Sequence, residues 1–275
     1  MRIGLSSPIV VRVPGVAASW EADGGPAELI RIAEVADDLG FDHLTCSEHI
    51  AVPERDTATR GSTYWDPLAT LSFLAARTAR IRLATSVVVL GYHHPLALAK
   101  SYGTLDRLSG GRVVLGVGVG SLEAEFDLLG ARWPDRGAAA DRALTALRAA
   151  WGRREVGDFV IDPAATSTTA PLWVGGRSLR SLRRAVALGT GWVPFGLSAD
   201  VLTTHLRAVR LPPEFEVVLN PGRPLDPLAD PESARRRLIR LRDIGATVVC
   251  CALRASGIDH YCDQLTALHE IAAPL

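Results

Sequence analysis

Two short apolar runs flank a helical segment between residues 85 and 120, and this arrangement constrains the fold more than any other part of the chain. The runs Val87–Leu90 and Val113–Val119 are rich in β-branched residues, and leucine and alanine recur at helical spacing between them. Both runs are apolar at consecutive positions, as parallel strands buried on both faces require. The segment therefore predicts a β-α-β unit of a parallel sheet.

The same unit recurs along the 275 residues. Predicted strands cover Ile3–Ser7, Phe41–Cys46, Ile81–Leu90, Val113–Val119, Pro171–Val174, Gly191–Pro194, Glu216–Leu219 and Thr247–Ala252. Predicted helices cover Ala27–Leu39, Asp66–Arg77, a segment opened by His94-Pro95, Ala138–Trp151, Ser178–Leu188, Ala199–Val209, Pro231–Ile244 and Ile258–Ala272. Eight alternations predict an α/β fold, a closed (β/α)8 TIM barrel over residues 1–275 as a single domain, with irregular insertions near 50–65 and 152–170. An open doubly wound sheet is the alternative.

Composition excludes several classes of partner. Thirty basic residues balance thirty acidic ones, so no nucleic-acid or anionic-membrane partner is expected. No run of about 18 apolar residues is present, and the first residues read as a strand rather than a signal peptide, so we expect a cytoplasmic protein. The four cysteines lack the spacing of metal ligands and fall in apolar stretches, which favours buried free thiols.

Adjacent histidines at His93 and His94 raise the question of a metal site. No third ligand stands nearby in the sequence, and Pro95 marks the first turn of a helix. We therefore predict no metal site, and a role for the pair in packing and in starting the helix.

Alternating glycines end the second apolar run, at Gly116, Gly118 and Gly120. In a parallel barrel, ligands bind beyond the carboxyl ends of the strands. Glycines at that edge predict a close approach of a flat or phosphorylated ligand to the backbone.

Several motifs, in order and at predicted strand ends, resemble those of the bacterial-luciferase-like oxidoreductases. They are Ser47-Glu48-His49, Thr85-Ser86-Val87 with His93-His94-Pro95, the segment from Thr104 to Arg112, the glycines from Leu115 to Gly120, Trp173-Val174-Gly175-Gly176, and Gly191-Trp192. The chain is most similar to the branch that uses the deazaflavin F420. The branch of FMN-dependent monooxygenases shares the fold and the motifs.

The resemblance implies a catalytic role for His49, whose imidazole exchanges protons near neutral pH. Glu48 is the second predicted catalytic residue, because its carboxylate can orient the histidine or bind the cofactor. A helix cap or a salt bridge explains Glu48 equally well.

The resemblance also implies where the cofactor binds. Its phosphate is expected at Gly175, Gly176, Arg177 and Ser178, where free amides, a hydroxyl and a guanidinium coincide at a helix start. Arg136-Gly137 is a second candidate anion contact. Relatives carry a non-proline cis peptide that supports the cofactor ring, here expected between Ser86 and Val87. The remaining predicted cofactor-binding residues are Ser6, Thr85, Gly118, Gly120 and Ser121.

Two departures from the family pattern stand out. Ser121 follows Gly120, where relatives have a large aromatic residue or a glutamate that acts as an acid, and a hydroxyl is a poor general acid. Nearby Glu125 matches a recurrent family glutamate, for which a bond to helix-start amides is the simpler interpretation. The connection from Asn220 to Asp230 is short and proline-rich, so the site is either open or closed by residues 50–65 instead.

These observations predict an F420-dependent oxidoreductase that moves a hydride between the deazaflavin and a small organic substrate. The alternatives are an FMN-dependent monooxygenase and a non-catalytic flavin-binding relative. Resemblance and apolar helix faces predict a homodimer, through a face that includes Leu68, Leu71, Leu74, Leu96 and Leu98. Four helix arginines, at Arg177, Arg180, Arg183 and Arg184, offer either an exit for the F420 tail or simply a solvated helix face in an arginine-rich chain. Candidate substrate-pocket residues are Arg55, Arg60, Tyr64 and Trp65.

Overall fold

The computed structural model describes residues 1–275 and contains a closed parallel barrel of eight strands. The strands are β1 Arg2–Ser6, β2 His43–Cys46, β3 Arg82–Thr85, β4 Val113–Gly118, β5 Leu172–Gly175, β6 Gly191–Val193, β7 Glu216–Leu219 and β8 Val248–Cys251. Each strand pairs in parallel with its neighbours, and β1 pairs with both β2 and β8. The predicted barrel is therefore confirmed, and the open sheet is excluded.

Eight helices surround the barrel: α1 Pro26–Asp38, α2 Pro67–Ala75, α3 Pro95–Leu108, α4 Arg136–Ala150, α5 Leu179–Leu188, α6 Ala199–Arg207, α7 Pro231–Ile244 and α8 Ile258–Ala272. Short polar side chains start several of them. Asp66 accepts a hydrogen bond from the Ala69 amide at 2.7 Å, and Asp230 accepts one from the Ser233 amide at 2.9 Å. Such caps satisfy amides that have no partner within the helix, and they fix where the helix begins.

Alternate residues of each strand divide between two cores. Outward-facing residues such as Leu83, Leu115 and Val174 pack under the helices in a cluster of 52 buried residues. Inward-facing residues form a small second cluster inside the barrel: Ala84, Val114, Trp173, Val218 and Val248. This division explains why the strands are apolar at consecutive positions.

A network of charges closes the amino-terminal end of the barrel. Arg82 pairs with Asp42 and with Glu216, and Arg2 pairs with the same two carboxylates. Burial raises the pKa of Asp42, but bonds from His43 and Arg82 outweigh it and lower that pKa to about 2. This end is therefore filled by structural ion pairs, which leaves the carboxyl-terminal end as the place for a site.

The predicted third strand is shorter than expected, and both irregular segments contain local structure. β3 ends at Thr85, and Val88–Val89 resumes pairing with β4 after a break at Ser86 and Val87. Within residues 50–65, a helical turn at Thr57–Arg60 precedes Thr63–Tyr64, which pairs with Val11–Arg12. Residues 152–170 contain a hairpin of Glu155–Val156 and Phe159–Val160.

The leucines expected to form a dimer surface belong instead to the core of the same chain. Leu71, Leu74 and Leu98 are buried, while Leu68 and Leu96 are partly buried against the same cluster. The pattern of apolar residues is explained by packing of α2 and α3 on the barrel. The predicted homodimer therefore rests on the family resemblance alone.

The cysteines are unpaired, as predicted, and three of the four are buried. Cys250 is the exception, being only partly buried, although burial raises its pKa to about 12. None of the helices is long and apolar enough to cross a membrane.

Candidate active site

His49 and Glu125 form a hydrogen-bonded pair at the carboxyl-terminal end of the barrel. His49 follows β2, Glu125 lies in a short helix after β4, and the His49 Nδ1 atom is 2.7 Å from Oε2 of Glu125. A carboxylate accepts but cannot donate, so Nδ1 carries the proton and Nε2 of the neutral ring keeps its lone pair. Nε2 makes no hydrogen bond within the chain. Nε2 is thus the ring nitrogen of His49 that is free to bind another molecule.

Glu125 is held by four donors although its side chain is buried. Its Oε2 also accepts from the Tyr92 hydroxyl at 2.8 Å, and Oε1 accepts from the amides of Ile50 at 2.5 Å and Ala51 at 3.1 Å. Burial raises the pKa of Glu125, but the bonds from His49, Tyr92 and Ala51 outweigh it, and the pKa is below its usual value. Glu125 is therefore ionised at neutral pH, and it binds amides of another loop rather than those of its own helix.

Glu48 does not orient His49, which corrects that interpretation of the sequence. Its Oε2 accepts from the Val89 amide at 2.7 Å, and its Oε1 is 2.7 Å from Nε2 of His93. The hydrogen bond to Glu48 raises the pKa of His93, with burial opposing it. Glu48 is buried in this pair, so the structure supports the salt-bridge interpretation of Glu48.

The other member of the histidine pair starts a helix. His94 is the N-cap of α3, where Nδ1 accepts from the Leu96 amide at 3.3 Å. No group of three or more histidine, cysteine or acidic side chains has a geometry that could hold a metal ion.

The Ser86–Val87 peptide bond is cis, as the resemblance implies. The Val87 side chain lies against Gly118 of β4 and Gly175 of β5. A Cβ atom added at Gly118 would lie 2.7 Å from Val87, and one added at Gly175 would lie 3.1 Å from it. The glycines therefore make room for Val87, whose partly exposed side chain forms part of the floor of the barrel mouth.

From sequence, the alternating glycines predict close approach of a ligand, but contacts within the protein explain them instead. A Cβ atom at Gly116 would collide with the backbone of Thr85, and one at Gly120, where φ is +82°, would collide with Phe126. The close approach that glycine permits here is to the protein's own neighbouring segments. Ligand approach is not needed to explain these positions.

Thr85 and Ser6 differ in their accessibility to a cofactor. Thr85 is completely buried, and its hydroxyl donates to the Gly116 carbonyl at 2.6 Å, so its side chain cannot reach a ligand in the barrel mouth. Ser6 is exposed at the end of β1, where it lines a small cavity together with Ser7 and Tyr261. Of the two, only Ser6 can contact a cofactor.

The predicted phosphate residues come together after β5. Ser178 caps α5 by accepting from the Ser181 amide at 3.2 Å, and Gly176 has a φ of +145°. The amides of Leu179 and Arg180, in the first turn of the helix, have no acceptor within the chain. Arg177 is exposed, without a carboxylate partner, and its guanidinium carbon lies 5.7 Å from the centre of the Phe195 ring. Free amides and an unpaired guanidinium fit a phosphate.

The arginines nearby are only partly available. Arg184 is buried, pairs with Asp141 and donates to the Gly137 carbonyl at 2.9 Å. It therefore does not belong to an exposed basic surface, contrary to the prediction from sequence. Arg136 lies over the Trp133 ring at 3.5 Å, and Arg180 is exposed. The basic surface near the phosphate residues thus consists of Arg177, Arg180 and Arg183.

Residues 50–65 close one side of the mouth. The Arg60 guanidinium donates hydrogen bonds to the Ser121 hydroxyl at 3.2 Å and to the Ser121 carbonyl at 3.3 Å. The Tyr64 ring meets His49 edge-on with 4.6 Å between centroids. The loop after β7 is short and is held by Arg237, which donates to the carbonyls of Pro221 at 2.8 Å and Pro224 at 3.2 Å. Closure by residues 50–65 is therefore the alternative that the structure supports.

Comparison with known proteins agrees with this architecture. Residues 1–246 match the family model described as luciferase-like monooxygenase. Monooxygenase RslO1 from Streptomyces bottropensis superposes with a TM-score of 0.79 at 21% identity, over 100% of this chain and 99% of that one, which shows the shared fold.

Relatives by sequence include both kinds of enzyme. An F420-dependent glucose-6-phosphate dehydrogenase from Nakamurella multipartita is 30% identical over 217 residues, which are 74% of this chain and 61% of that protein. A 4-hydroxyprotoasukamycin monooxygenase from Streptomyces nodosus subsp. asukaensis is 39% identical over 101 residues, which are 37% of this chain and 25% of that protein. The chain thus matches less than two thirds of the length of each. With its barrel, its cis peptide and the family match over most of its length, the chain belongs to the luciferase-like monooxygenase family of oxidoreductases.

Proposed function

We propose that the protein is an F420-dependent oxidoreductase that transfers a hydride between the deazaflavin and a small organic substrate. The observation that carries the proposal is the pair formed by His49 and ionised Glu125, which leaves Nε2 of His49 available at the barrel mouth. The similarity to F420-dependent glucose-6-phosphate dehydrogenases supports the choice of cofactor. The bound deazaflavin would supply the hydride chemistry.

In this proposal His49 moves the proton that accompanies reduction or oxidation of the substrate. Nδ1 keeps its proton and donates it in the hydrogen bond to Glu125. Nε2 therefore accepts a proton when the substrate is oxidised and returns one when the substrate is reduced. Glu125 fixes the ring and stabilises the protonated imidazole, without receiving the proton itself. Tyr64 packs on the ring and limits its rotation.

In this proposal different residues would hold the two ends of the cofactor. The helix-start amides of α5, with Arg177 and Ser178, would hold the phosphate. The Val87 side chain, between the glycines of β4 and β5, would support the ring from below. Gly175 belongs to this floor as well, whereas Ser121 is engaged by Arg60 at its rim.

Arg177 supplies a test of the phosphate site. Replacing it with glutamine should weaken binding of F420 by about 1.5 to 3 kcal/mol, because a charge-assisted hydrogen bond is lost. Binding is measured by titrating F420 against the purified protein. Arg207→Gln is the matched control: it removes an exposed arginine at the end of α6, outside this basic surface, and should change affinity little. Equal losses in both variants would show a diffuse charge effect and no phosphate contact.

A tail-truncated cofactor separates F420 from FMN. F420 carries a lactyl-glutamate tail with several carboxylates beyond its phosphate, whereas FMN ends at the phosphate. The exposed Arg177, Arg180 and Arg183 can attract this tail. We expect full-length F420 to bind more tightly than a truncated form, with a difference that shrinks at higher salt. If the tail adds neither affinity nor salt dependence, these arginines do not support the choice of F420.

An FMN-dependent monooxygenase is the second candidate. Ser121 stands where one branch of the family has a glutamate that acts as an acid, and the chain also resembles monooxygenases in sequence and fold. The same phosphate residues would serve FMN. A non-catalytic flavin-binding relative remains a third alternative, which turnover of any substrate would exclude.

The protein should form a homodimer, as the family resemblance implies. At micromolar concentration, sedimentation should give about twice the mass of the 29.4 kDa chain. A mass near that of a single chain would show that the dimer prediction is wrong.

A further inference from the structure

We propose that Arg60 selects substrates that carry an oxyanion, such as a carboxylate or a phosphate, by presenting an uncompensated guanidinium at the rim of the site. The inference rests on the proposed function, because it assumes that substrates bind beside His49. It names the class of substrate, which the family relationship leaves open.

Arg60 is bound only by neutral groups. Its Nη1 donates to the Ser121 hydroxyl at 3.2 Å, and its Nη2 donates to the Ser121 carbonyl at 3.3 Å. None of the ion pairs in the chain includes Arg60. Two long hydrogen bonds to one residue orient the guanidinium but leave its charge without a counter-charge, and further N–H groups remain for another acceptor.

Tyr64 links the backbone of Arg60 to the ring of His49. The Tyr64 hydroxyl donates to the Arg60 carbonyl at 2.7 Å, while the Tyr64 ring contacts His49. Burial raises the pKa of both Tyr64 and Tyr92, and the charge of Arg60 opposes that rise at each of them. Arg60 therefore acts electrostatically on the residues that surround the proposed proton donor.

The carboxylates of the site do not neutralise Arg60, because each already has its own partner. Glu125 is bound by His49 and Tyr92, and Glu48 is bound by His93. The side chains of both carboxylates are almost inaccessible to solvent, with Glu125 at 0% and Glu48 at 3%. An anionic group that enters the mouth beside His49 meets one unpaired cation and no exposed carboxylate of this pair.

Ser121 is then explained as part of the same arrangement. The family resemblance implies an aromatic residue or a glutamate at this position, and a glutamate there would pair with Arg60 and cancel its charge. A serine accepts hydrogen bonds from the guanidinium without neutralising its charge.

Benzoate and benzamide are the probes for this inference, because they have nearly the same shape and differ in charge. Their dissociation constants are measured by ligand-observed NMR at low salt, without any need for turnover. In the wild-type protein benzoate should bind about tenfold more tightly than benzamide, as expected for one partly screened charge-assisted contact. In Arg60→Gln this preference should disappear while benzamide affinity stays unchanged.

Three further variants separate charge from loop structure and from other anion sites. Arg60→Lys keeps the charge and should retain most of the preference. Arg55→Gln removes an exposed arginine of the same loop and should retain all of it. Arg177→Gln should also retain it, which excludes binding of benzoate at the phosphate site.

The inference is overturned if the wild type does not distinguish the two probes, or if Arg60→Gln still prefers benzoate. It is also overturned if Arg60→Gln loses affinity for benzamide to the same extent as for benzoate, because that result would show that Arg60 only holds the loop in place. Parallel titration with F420 and FMN keeps the proposed function separate. Cofactor binding without a benzoate preference rejects only the role of Arg60, whereas a benzoate preference without cofactor binding rejects the proposed function.

Discussion

Replacing His49 by alanine should lower turnover by about 10²-fold or more while the fold survives, because the site loses its proton-transfer group. The side chain is 15% exposed, and removing it opens no cavity within the main cluster of buried residues. Circular dichroism should therefore keep the native spectrum, while the midpoint of urea unfolding should fall because the buried Glu125 loses one of its four donors. The measurement is kcat with a turned-over substrate, at saturating cofactor.

His269→Ala is the matched control for that experiment. His269 is exposed near the end of α8, outside the site, and its removal should leave kcat unchanged. If His49→Ala turns over its substrate as fast as the wild type does, His49 has no part in proton transfer.

Removing the Glu125 carboxylate should have the larger effect on stability. Glu125→Ala leaves the Tyr92 hydroxyl, the His49 Nδ1–H and two backbone amides without their acceptor. We expect a loss of about 2 to 4 kcal/mol in the free energy of unfolding at neutral pH, together with a fall in kcat as His49 loses its orientation. Urea unfolding measures the first quantity and steady-state kinetics the second.

Glu123→Ala is the control, because Glu123 is exposed in the same short helix and its removal should change stability by less than about 0.5 kcal/mol. The pH dependence gives a second check. The folded-state pKa of Glu125 is lowered, so its contribution is present above the unfolded pKa of about 4.3 and is lost as pH falls through the folded value. The stability difference between wild type and Glu125→Ala should therefore shrink on acidification below about pH 4. A difference that grows under acid conditions would contradict the ionised state of Glu125.

The fold could be predicted from sequence because barrel strands and helices carry different periodicities. Runs such as Val113–Gly118 are apolar on both faces, and caps such as Asp66 mark helix starts within a residue or two. Because these residues follow the ends of parallel strands, His49, Ser86 and Gly176 lie at one end of the barrel regardless of the contacts of their side chains.

Contacts between side chains of distant segments could not be predicted in the same way. His49 and Glu125 are 76 positions apart, and only the barrel brings their loops together. Sequence proximity favoured Glu48 as the partner of His49, but adjacent residues in an extended segment point in opposite directions. Glu48 therefore faces His93 and the Val89 amide, while His49 faces Glu125.

The alternating glycines of β4 show a related limit. Alternating glycines indicate that something approaches the backbone closely, without indicating what it is. At Gly116 the approaching group is the Thr85 backbone, and at Gly118 it is the Val87 side chain. The close approach depends on the break after β3, which no local pattern of apolar residues encodes.

The choice of cofactor is tested by parallel titration of the purified protein with F420 and with FMN, followed by quenching of cofactor fluorescence. We expect saturable binding of F420 in the micromolar range, with FMN binding at least tenfold more weakly because it lacks the tail. Arg177→Gln should weaken the binding of both cofactors. Tight binding of FMN with little or no binding of F420 would contradict the proposal and identify the protein as a member of the flavin-dependent branch.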